Sequence, residues 1–253
     1  MTDKKSAIVT GSATGVGAAV ATDLAARGYN VIINYNKSAA EAEQTRASIA
    51  DAGGEAIVVQ GDVADNAACV SMVETALSNW GRLDVLVNNA GMTNFGGVNN
   101  WDDLSNEVFS RIYDVNVVGA FQMVRAAREA LKVSGNGSIV NVSSIAGSLG
   151  VGSSVPYIAS KGAMNSLTLH LARQLAPEIR VNAVCPGLIT SRWFRDGIGE
   201  EGYQKVKSGY ESNVPLQRAC APEEVADAVV WLATATPVIT GELLLMDGGK
   251  HLG

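Results

Sequence analysis

Short β-branched runs alternate with longer helical patterns from one end of the 253-residue sequence to the other. A strand, a helix and a further strand in succession are typical of a parallel sheet with helices on both faces. Because handedness rules leave few topologies, we predict an α/β fold with a doubly wound, seven-stranded parallel sheet. The predicted strands are "SAIVT", "NVIINY", "EAIVVQGD", "LDVLVNNAG", "GSIVNVSS", "IRVNAVCPG" and "GELLLMDGG". The predicted helices are 15–27, 39–52, 66–80, 105–133, 157–176 and 222–235, with apolar residues three and four apart.

The alternation of strands and helices predicts one domain over residues 1–253, because no linker or low-complexity tract interrupts it. With 47% hydrophobic and 17% charged residues, the chain is long enough to bury a large core. One segment, 188–215, follows a predicted strand but starts no strand of its own. In an open α/β sheet this position lies over the carboxyl edge, where ligands bind, so we predict a substrate lid there.

Charge and residue usage exclude several classes of protein. The net charge of −6, the pI near 5.0 and the absence of Lys/Arg runs argue against partners such as nucleic acid or an anionic membrane surface. No apolar run reaches the roughly 20 residues of a membrane helix, and "MTDKK" leads directly into a strand, so we predict a cytoplasmic location. Isolated cysteines and histidines predict reduced thiols and no metal site. These residues are Cys69, Cys185, Cys220, His170 and His251.

A glycine turn follows the first predicted strand in "TGSATGVG". Gly11, Gly15 and Gly17 allow a tight turn and bring backbone N–H groups close to a phosphate at a helix N-terminus, together with Thr14 and Val16. The spacing is G-x-x-x-G-x-G rather than G-x-G-x-x-G. Its place after the first strand favours dinucleotide binding in a Rossmann-type fold.

Two further strand ends should lie beside this turn. The sequence "GDV" places Asp62 and Val63 at the end of the third strand, and "NNAG" ends the fourth. The alternative is ordinary turn chemistry, since Asp, Asn and Gly are common at strand ends.

The stretch "SSVPYIASKGAM" places Tyr157 four residues before Lys161, and Pro156 is suited to the first turn of a helix. The two side chains would share one helix face. Packing is one explanation of such a pair. The other is chemistry, because hydride delivery to a carbonyl leaves negative charge on oxygen and requires a proton donor. A phenol has a pKa of about 10, which a neighbouring ammonium should lower.

The motifs "TGSATGVG", "GDV", "NNAG", "DVN", "NVSS", "YIASK" and "PG" occur in this order, and Ser144 stands 13 residues before Tyr157. In this combination the chain resembles the short-chain dehydrogenase/reductase family, in its 3-oxoacyl-carrier-protein reductase and glucose dehydrogenase branch. The resemblance implies the catalytic group Asn116, Ser144, Tyr157 and Lys161. It also implies that cofactor is bound by Gly11, Gly15, Gly17, Asp62, Val63, Asn88, Ala90, Gly91, Tyr157, Lys161, Pro186, Gly187 and Thr190.

Individual roles also follow from the resemblance. Ser144 would hydrogen-bond the substrate oxygen, and Lys161 would hold the nicotinamide ribose. Asn116 would support a water that relays protons to the lysine, and Thr190 would contact the carboxamide. Independently of the resemblance, the aromatic residues Trp193 and Phe194 of the lid would cover an apolar or ring-shaped substrate beside Ser144 and Tyr157; the alternative is that they pack on the protein itself.

The leading hypothesis is therefore an NAD(P)-dependent oxidoreductase that interconverts a ketone and a secondary alcohol, with Tyr157 as general acid/base. The rival is a nucleotide-binding sensor or scaffold without turnover. Family resemblance and the apolar strand "LLLMDGG" indicate a homotetramer. The expected partner is a small carbonyl or alcohol substrate, and its identity stays open.

The end of the second strand should decide between the two nicotinamide cofactors. An acid there would bind the ribose hydroxyls of NAD and repel a 2′-phosphate, but no acid appears before Glu41. We predict that NADP is preferred and NAD tolerated, because the turn offers donors and one positive charge. The alternative is a polar turn that faces water, and Thr14 stands where NADP-binding relatives often carry Arg or Lys. The residues concerned are Asn34, Tyr35, Asn36 and Lys37.

Overall fold

The computed structural model describes residues 4–95, 101–235 and 237–253. Its strands are β1 Ser6–Val9, β2 Asn30–Tyr35, β3 Glu55–Gln60, β4 Val85–Asn88, β5 Gly137–Val142, β6 Ile179–Pro186 and β7 Leu243–Met246. Its α-helices are α1 Gly15–Ala26, α2 Ala39–Asp51, α3 Asn66–Trp80, α4 Asn106–Tyr113, α5 Ala120–Val133, α6 Ala146–Leu149, α7 Val155–Leu175, α8 Arg192–Ser212 and α9 Pro222–Thr234.

The seven strands form one parallel sheet in the order β3-β2-β1-β4-β5-β6-β7. The register places Ile8 of β1 beside Ile32 of β2 on one side and beside Leu86 of β4 on the other. The predicted doubly wound, single-domain fold is confirmed. From β1 the strand order runs outward to β3 on one side, and from β4 it runs outward to β7 on the other, so the strand order reverses between β1 and β4. In sheets of this kind ligands bind at this switch point.

Helices cover both faces of the sheet, which is why the strands read as continuous apolar runs rather than as alternating ones. Along β2, Val31 and Ile33 join the core that α1 and α9 cover, whereas Ile32 joins the core beneath α3, α5 and α7. All three side chains are fully buried. Each face therefore anchors a layer of helices, and the rigid strands carry the loops at their carboxyl ends.

The predicted helix 105–133 is not continuous. A π-helical turn over Asp114–Gly119 separates α4 from α5. Such a turn inserts one extra residue into the helix and is frequent at functional sites. Its buried residues include Val115 and Asn116, so the turn directs the asparagine inward.

The segment 188–215 starts no strand, as predicted, and most of it is α8. Gly199 adopts a φ of 74° and breaks the helix into two parts. Within the described ranges, no helix has both the length and the apolarity that crossing a membrane requires.

Candidate active site

The glycine turn between β1 and α1 presents backbone groups to the carboxyl edge of the sheet. Gly11 and Gly15 have φ values of 61° and 60°, in the left-handed region that favours glycine. Thr14, at the N-cap of α1, is extended and makes no side-chain capping hydrogen bond. The first N–H groups of α1 are therefore not capped by this side chain and can serve an anion, as helix N-termini do.

Gly17 shows how tightly this turn packs against the end of β4. A Cβ at this position would lie 2.5 Å from Nδ2 of Asn89 and 2.5 Å from the Gly11 oxygen. Asn89 donates from this Nδ2 to the backbone oxygens of Thr10 and Gly11, each at 2.9 Å. The Thr10 hydroxyl in turn accepts the N–H groups of Asn89 and Ala90 at 3.0 Å. The "NNAG" motif thus stabilises the glycine turn through these hydrogen bonds. Thr10 and Asn89 were not among the predicted site residues.

Asn34 has a different role from the one predicted, because its side chain is not free to meet a phosphate. It is only 2% exposed. Its Oδ1 accepts the N–H of Gly11 and its Nδ2 donates to the Gly61 oxygen, both at 3.0 Å. These bonds saturate the amide within the protein, and Asn34 supports the glycine turn from behind.

The other residues at the end of β2 remain accessible. Asn36 and Lys37 are exposed and Tyr35 is half-buried. Asn36 donates from Nδ2 to Asp62 at 3.1 Å, and Arg111 of α4 pairs with the same carboxylate. Burial opposes ionisation of Asp62, but the Ala64 N–H and Arg111 outweigh it and the pKa of the carboxyl is lowered. Arg111 has no motif of its own in the sequence.

Tyr157 and Lys161 lie on one face of α7 and are both buried, with 8% and 4% exposure. The helix begins with Pro156 in its first turn, and the hydroxyl of Ser154 accepts the N–H of Tyr157. The Lys161 ammonium lies 5.6 Å from the centre of the Tyr157 ring and donates to the Val142 oxygen at 2.8 Å. The pair is therefore set inside the protein rather than on a solvated face.

The pKa of Tyr157 corrects an expectation from the sequence. Burial raises it to about 12, and contact with the Ser144 side chain only partly offsets this effect. Burial also lowers the pKa of Lys161 to about 8. The sequence argument considered only the attraction between ammonium and phenolate, whereas removing both groups from water is the larger effect.

The two adjacent serines after β5 point to different neighbours. The Ser143 hydroxyl donates to Oδ1 of Asn165 at 2.6 Å, which makes it part of the packing between β5 and α7. Ser144 contacts Tyr157, donates to the Pro186 oxygen at 3.4 Å and accepts the N–H of Ala146 at 3.1 Å. Of the two serines, Ser144 is the one whose side chain interacts with the Tyr157 hydroxyl.

Asn116 is fully buried in the π-helical turn. Its Oδ1 accepts the N–H of Met92 at 2.8 Å, and its Nδ2 donates to the Met92 oxygen and to the Ser160 hydroxyl at 3.0 and 2.9 Å. The asparagine thereby ties the loop after β4 to α7. A Cβ on Gly91 would lie 3.5 Å from Asn116 Oδ1 and 3.8 Å from Lys161 Nζ, so these groups converge on one point.

Asn88 and Thr190 also make internal bonds. Asn88 is buried and donates to Oδ1 of Asn141 at 2.9 Å, below the site. Thr190 donates to the Cys220 oxygen at 3.2 Å. Pro186 ends β6 next to Ser144, and the N–H of Gly187, the residue that follows, donates to the Met246 oxygen at 2.9 Å. Val63 is buried beneath α5, where its oxygen accepts from Gln122 at 2.9 Å.

A cleft of about 660 Å³ lies between α1, α9 and the beginning of α8. It holds three predicted cofactor residues, Thr14, Gly15 and Thr190, but none of the predicted catalytic group. Arg192 also lines this cleft and pairs with Glu41 of α2 at 2.9 Å. The pair connects α8 to α2 across the face that carries the glycine turn.

A cluster of aromatic rings adjoins Tyr157 through Trp193. The Trp193 ring is edge-on to the Tyr157 ring, with centroids 5.9 Å apart, and Phe194 adjoins Trp193 at 6.1 Å. Phe95, which was not predicted, contacts both rings. In the described part of the chain, no cluster of three or more His, Cys, Asp or Glu residues could hold a metal ion.

The doubly wound sheet and the glycine turn at its switch point define a dinucleotide-binding protein of the Rossmann type. Comparison with known proteins makes this more specific. Residues 11–251 match the family profile described as Enoyl-(Acyl carrier protein) reductase. The chain is 44% identical over 246 residues to the "Granaticin polyketide synthase putative ketoacyl reductase 2" of Streptomyces violaceoruber, covering 97% of this chain and 96% of that protein.

Two further relatives span the same length. Glucose 1-dehydrogenase 2 of Bacillus subtilis is 36% identical, covering 98% of this chain and 95% of its own. The crystal structure of a "putative short-chain dehydrogenase/reductase from Burkholderia xenovorans" superposes with a TM-score of 0.92 at 38% identity, covering 100% of both chains. The chain belongs to the short-chain dehydrogenase/reductase family and is an NAD(P)-dependent oxidoreductase.

Proposed function

We propose that this protein is an NADP(H)-preferring reductase that interconverts a ketone and a secondary alcohol, with Tyr157 as general acid/base. The observation that carries the proposal is the buried Tyr157 and Lys161 pair beside Ser144, on the same sheet edge as the glycine turn. A proton donor protected from water beside a dinucleotide site is what carbonyl reduction requires.

The residues present fit a dinucleotide. The uncapped N-terminus of α1 and the positive φ values of Gly11 and Gly15 suit a pyrophosphate. Val16 and Gly17 belong to the same turn, and Asp62 and Val63 would border the adenine. Ala90, Gly91, Pro186, Gly187 and Thr190 would line the nicotinamide end. When bound, the nicotinamide supplies or accepts the hydride.

The side chains would then divide the proton chemistry among them. Tyr157 donates its proton to the oxygen that gains charge, and the Ser144 hydroxyl hydrogen-bonds that same oxygen. The raised pKa of Tyr157 keeps the phenol protonated before reaction. Lys161, charged below a pKa of about 8, stabilises the phenolate that forms and holds the nicotinamide ribose. Asn116 would support a proton-relay water indirectly, by holding the loop after β4 against α7, because its side-chain amide is already bonded to Met92 and Ser160.

A preference for NADP is supported by the charges around the end of β2. Lys37 is exposed there. Glu41 has its pKa lowered by its hydrogen bond with Arg192, which pairs with the carboxylate and reduces its repulsion of a phosphate. Arg192 also faces the cleft that contains Thr14, where the turn itself lacks a basic residue.

We expect Lys37→Ala to raise the KM for NADPH by about fivefold to tenfold, because a charge-assisted contact with the 2′-phosphate is lost. The KM for NADH should change less than about twofold. Lys4→Ala, at the opposite edge of the sheet, is the matched control and should change neither. Steady-state kinetics with both cofactors measure this, and a clear advantage of NADH in the unmutated protein would overturn the proposed preference.

We also propose a homotetramer. β7 is an edge strand of the sheet, and its four apolar residues are only half-buried. An apolar edge strand is usually covered, and a second copy related by a two-fold axis would cover this one. Multi-angle light scattering at micromolar concentration should give four times the 26.3 kDa chain mass. A monomer under these conditions would contradict the proposal.

The rival function is a sensor that binds the cofactor without turning it over. Consumption of NADPH, followed by absorbance with a panel of cyclic, acyclic and sugar-derived carbonyls, distinguishes the two. Binding of NADPH with no consumption on any carbonyl would favour the sensor.

A further inference from the structure

Three rings form what we call the aromatic cover: Phe95, Trp193 and Phe194. Their centroids lie 5.9 Å apart for Phe95 and Trp193, 5.5 Å for Phe95 and Phe194, and 6.1 Å for Trp193 and Phe194. All three contacts are edge-on, which is a favoured geometry for aromatic pairs. Phe95 comes from the loop after β4, whereas the other two come from the first turn of α8. The cover therefore joins two separate elements above the catalytic helix.

The place of Phe95 is fixed from two sides. In α8, a Cβ on Gly197 would lie only 2.2 Å from the Phe95 ring, so the glycine leaves the space that the ring fills. On the other side, the Thr93 hydroxyl is 2.7 Å from the Ser153 hydroxyl and 3.2 Å from that of Ser154. Ser154 caps α7 at Tyr157. The loop that carries Phe95 is thus fastened to the start of the catalytic helix.

We infer that Phe95 contacts the substrate and that the aromatic cover selects a ketone carried on a flat, apolar ring. This inference rests on the proposed function, since it assumes that the reacting carbonyl meets Tyr157. To do so, substrate must enter where the Trp193 ring now adjoins the Tyr157 ring at 5.9 Å. Trp193 is 36% exposed, so its ring borders solvent on one side, and the substrate has to replace the contacts that the ring gives up when it moves.

The apolar, aromatic surface of the cover determines which substrates bind favourably once the Trp193 ring has moved. The indole of Trp193 makes edge-on contacts with Tyr157, Phe95 and Phe194, and a flat ring that takes its place can make contacts of the same kind with these rings. The hydroxyl groups of a sugar would instead face hydrocarbon rings and lose hydrogen bonds to water without replacement. The nearby Thr93 and Ser153 hydroxyls are within hydrogen-bond distance of each other. The cover therefore favours ring ketones over sugars and over short acyclic ketones.

The test compares the reduction of α-tetralone and of ethyl acetoacetate by NADPH, and the oxidation of D-glucose by NADP, in the unmutated protein and in Phe95→Ala. We expect the highest kcat/KM for α-tetralone. Phe95→Ala should raise the KM for α-tetralone about tenfold with kcat within about threefold, and should change the KM for ethyl acetoacetate by less than about threefold. Phe95→Leu, which keeps apolar volume without a ring, should fall between. Phe121→Ala removes an exposed ring of α5 and should leave both substrates unaffected.

A binding measurement separates this inference from the proposed function. In Tyr157→Phe saturated with NADP, α-tetralone should quench tryptophan fluorescence, glucose should not, and the additional change Trp193→Phe should remove the quenching. That result supports the aromatic cover even if no ketone is turned over, which would count against the proposed function alone. Three results would overturn the inference and leave the proposed function intact. The first is an equal loss of activity on both ketones in Phe95→Ala, and the second is better turnover of glucose or ethyl acetoacetate than of α-tetralone. The third is turnover of other ketones with no binding of α-tetralone.

Discussion

Replacing Tyr157 by phenylalanine should lower kcat by a factor of at least about 100, the low end for losing a general acid. The aromatic ring stays, so its edge-on contact with Trp193 and its packing in α7 persist. Only the hydroxyl disappears, and with it the proton for the substrate oxygen. Stopped assays at saturating NADPH and ketone measure the loss, and fluorescence titration should show that the variant still binds NADPH.

Tyr29→Phe is the matched control for this change. Tyr29 is also buried, but it directly precedes β2 at the amino edge of the sheet, opposite the site. Its variant should keep full turnover. If Tyr157→Phe retained near-normal kcat, the tyrosine would not be the proton donor.

The second large effect concerns Lys161, whose replacement by methionine should lower kcat/KM at least about 100-fold and yet stabilise the protein at pH 7. The ammonium is buried, and its pKa falls from 10.5 to about 8 for that reason. Activity is lost because no positive charge remains to stabilise the phenolate or to hold the ribose. Stability is gained because no charge has to be buried on folding.

The sign of the stability change follows from proton linkage. Below pH 8 the lysine is charged in both states, and the folded state bears the full cost of burying the charge. Between pH 8 and 10.5 the unfolded chain holds more protons than the folded protein, so the contribution of Lys161 to stability rises with pH. After subtraction of the hydrogen bond to Val142, Lys161→Met should gain on the order of 1 to 2 kcal/mol at pH 7. The gain should shrink towards pH 10.

Urea unfolding of both proteins without cofactor, at pH 7 and near pH 10, measures these differences. Lys4→Met, at an exposed position, should alter neither activity nor stability. A Lys161→Met variant that is less stable than the unmutated protein at pH 7 would show that burial of the ammonium is not costly.

The sequence predicted the sheet well because periodic burial determines it. The apolar runs of β1, β2 and β4 are buried on both faces, and only a parallel sheet between two helical layers provides that environment. The spacing of Tyr157 and Lys161 was equally informative, since residues four apart share a face of any helix. Patterns that depend only on residues close together in the sequence therefore predict the folded structure well.

Tertiary contacts decided what the sequence did not reveal. The amide of Asn34 was assigned to the cofactor from its position at the end of β2, but the chain folds Gly11 and Gly61 onto it. The break at Asn116 leaves no mark in a pattern of apolar residues. Phe95 carries no motif, and its contacts with Trp193 and Phe194 join residues about a hundred positions apart in the chain. The raised pKa of Tyr157 likewise depends on burial, which a spacing argument does not measure.

The most direct test of the central claim is to follow the hydride itself. The unmutated protein is incubated with a ketone and NADPH that is deuterated at the transferring position of the nicotinamide, and the product is examined by mass spectrometry. We predict an alcohol with one deuterium at the former carbonyl carbon, formed at least about 100-fold more slowly by Tyr157→Phe. Bound NADPH without any deuterated alcohol, across ring, acyclic and sugar-derived carbonyls, would contradict the assignment of this site to carbonyl reduction.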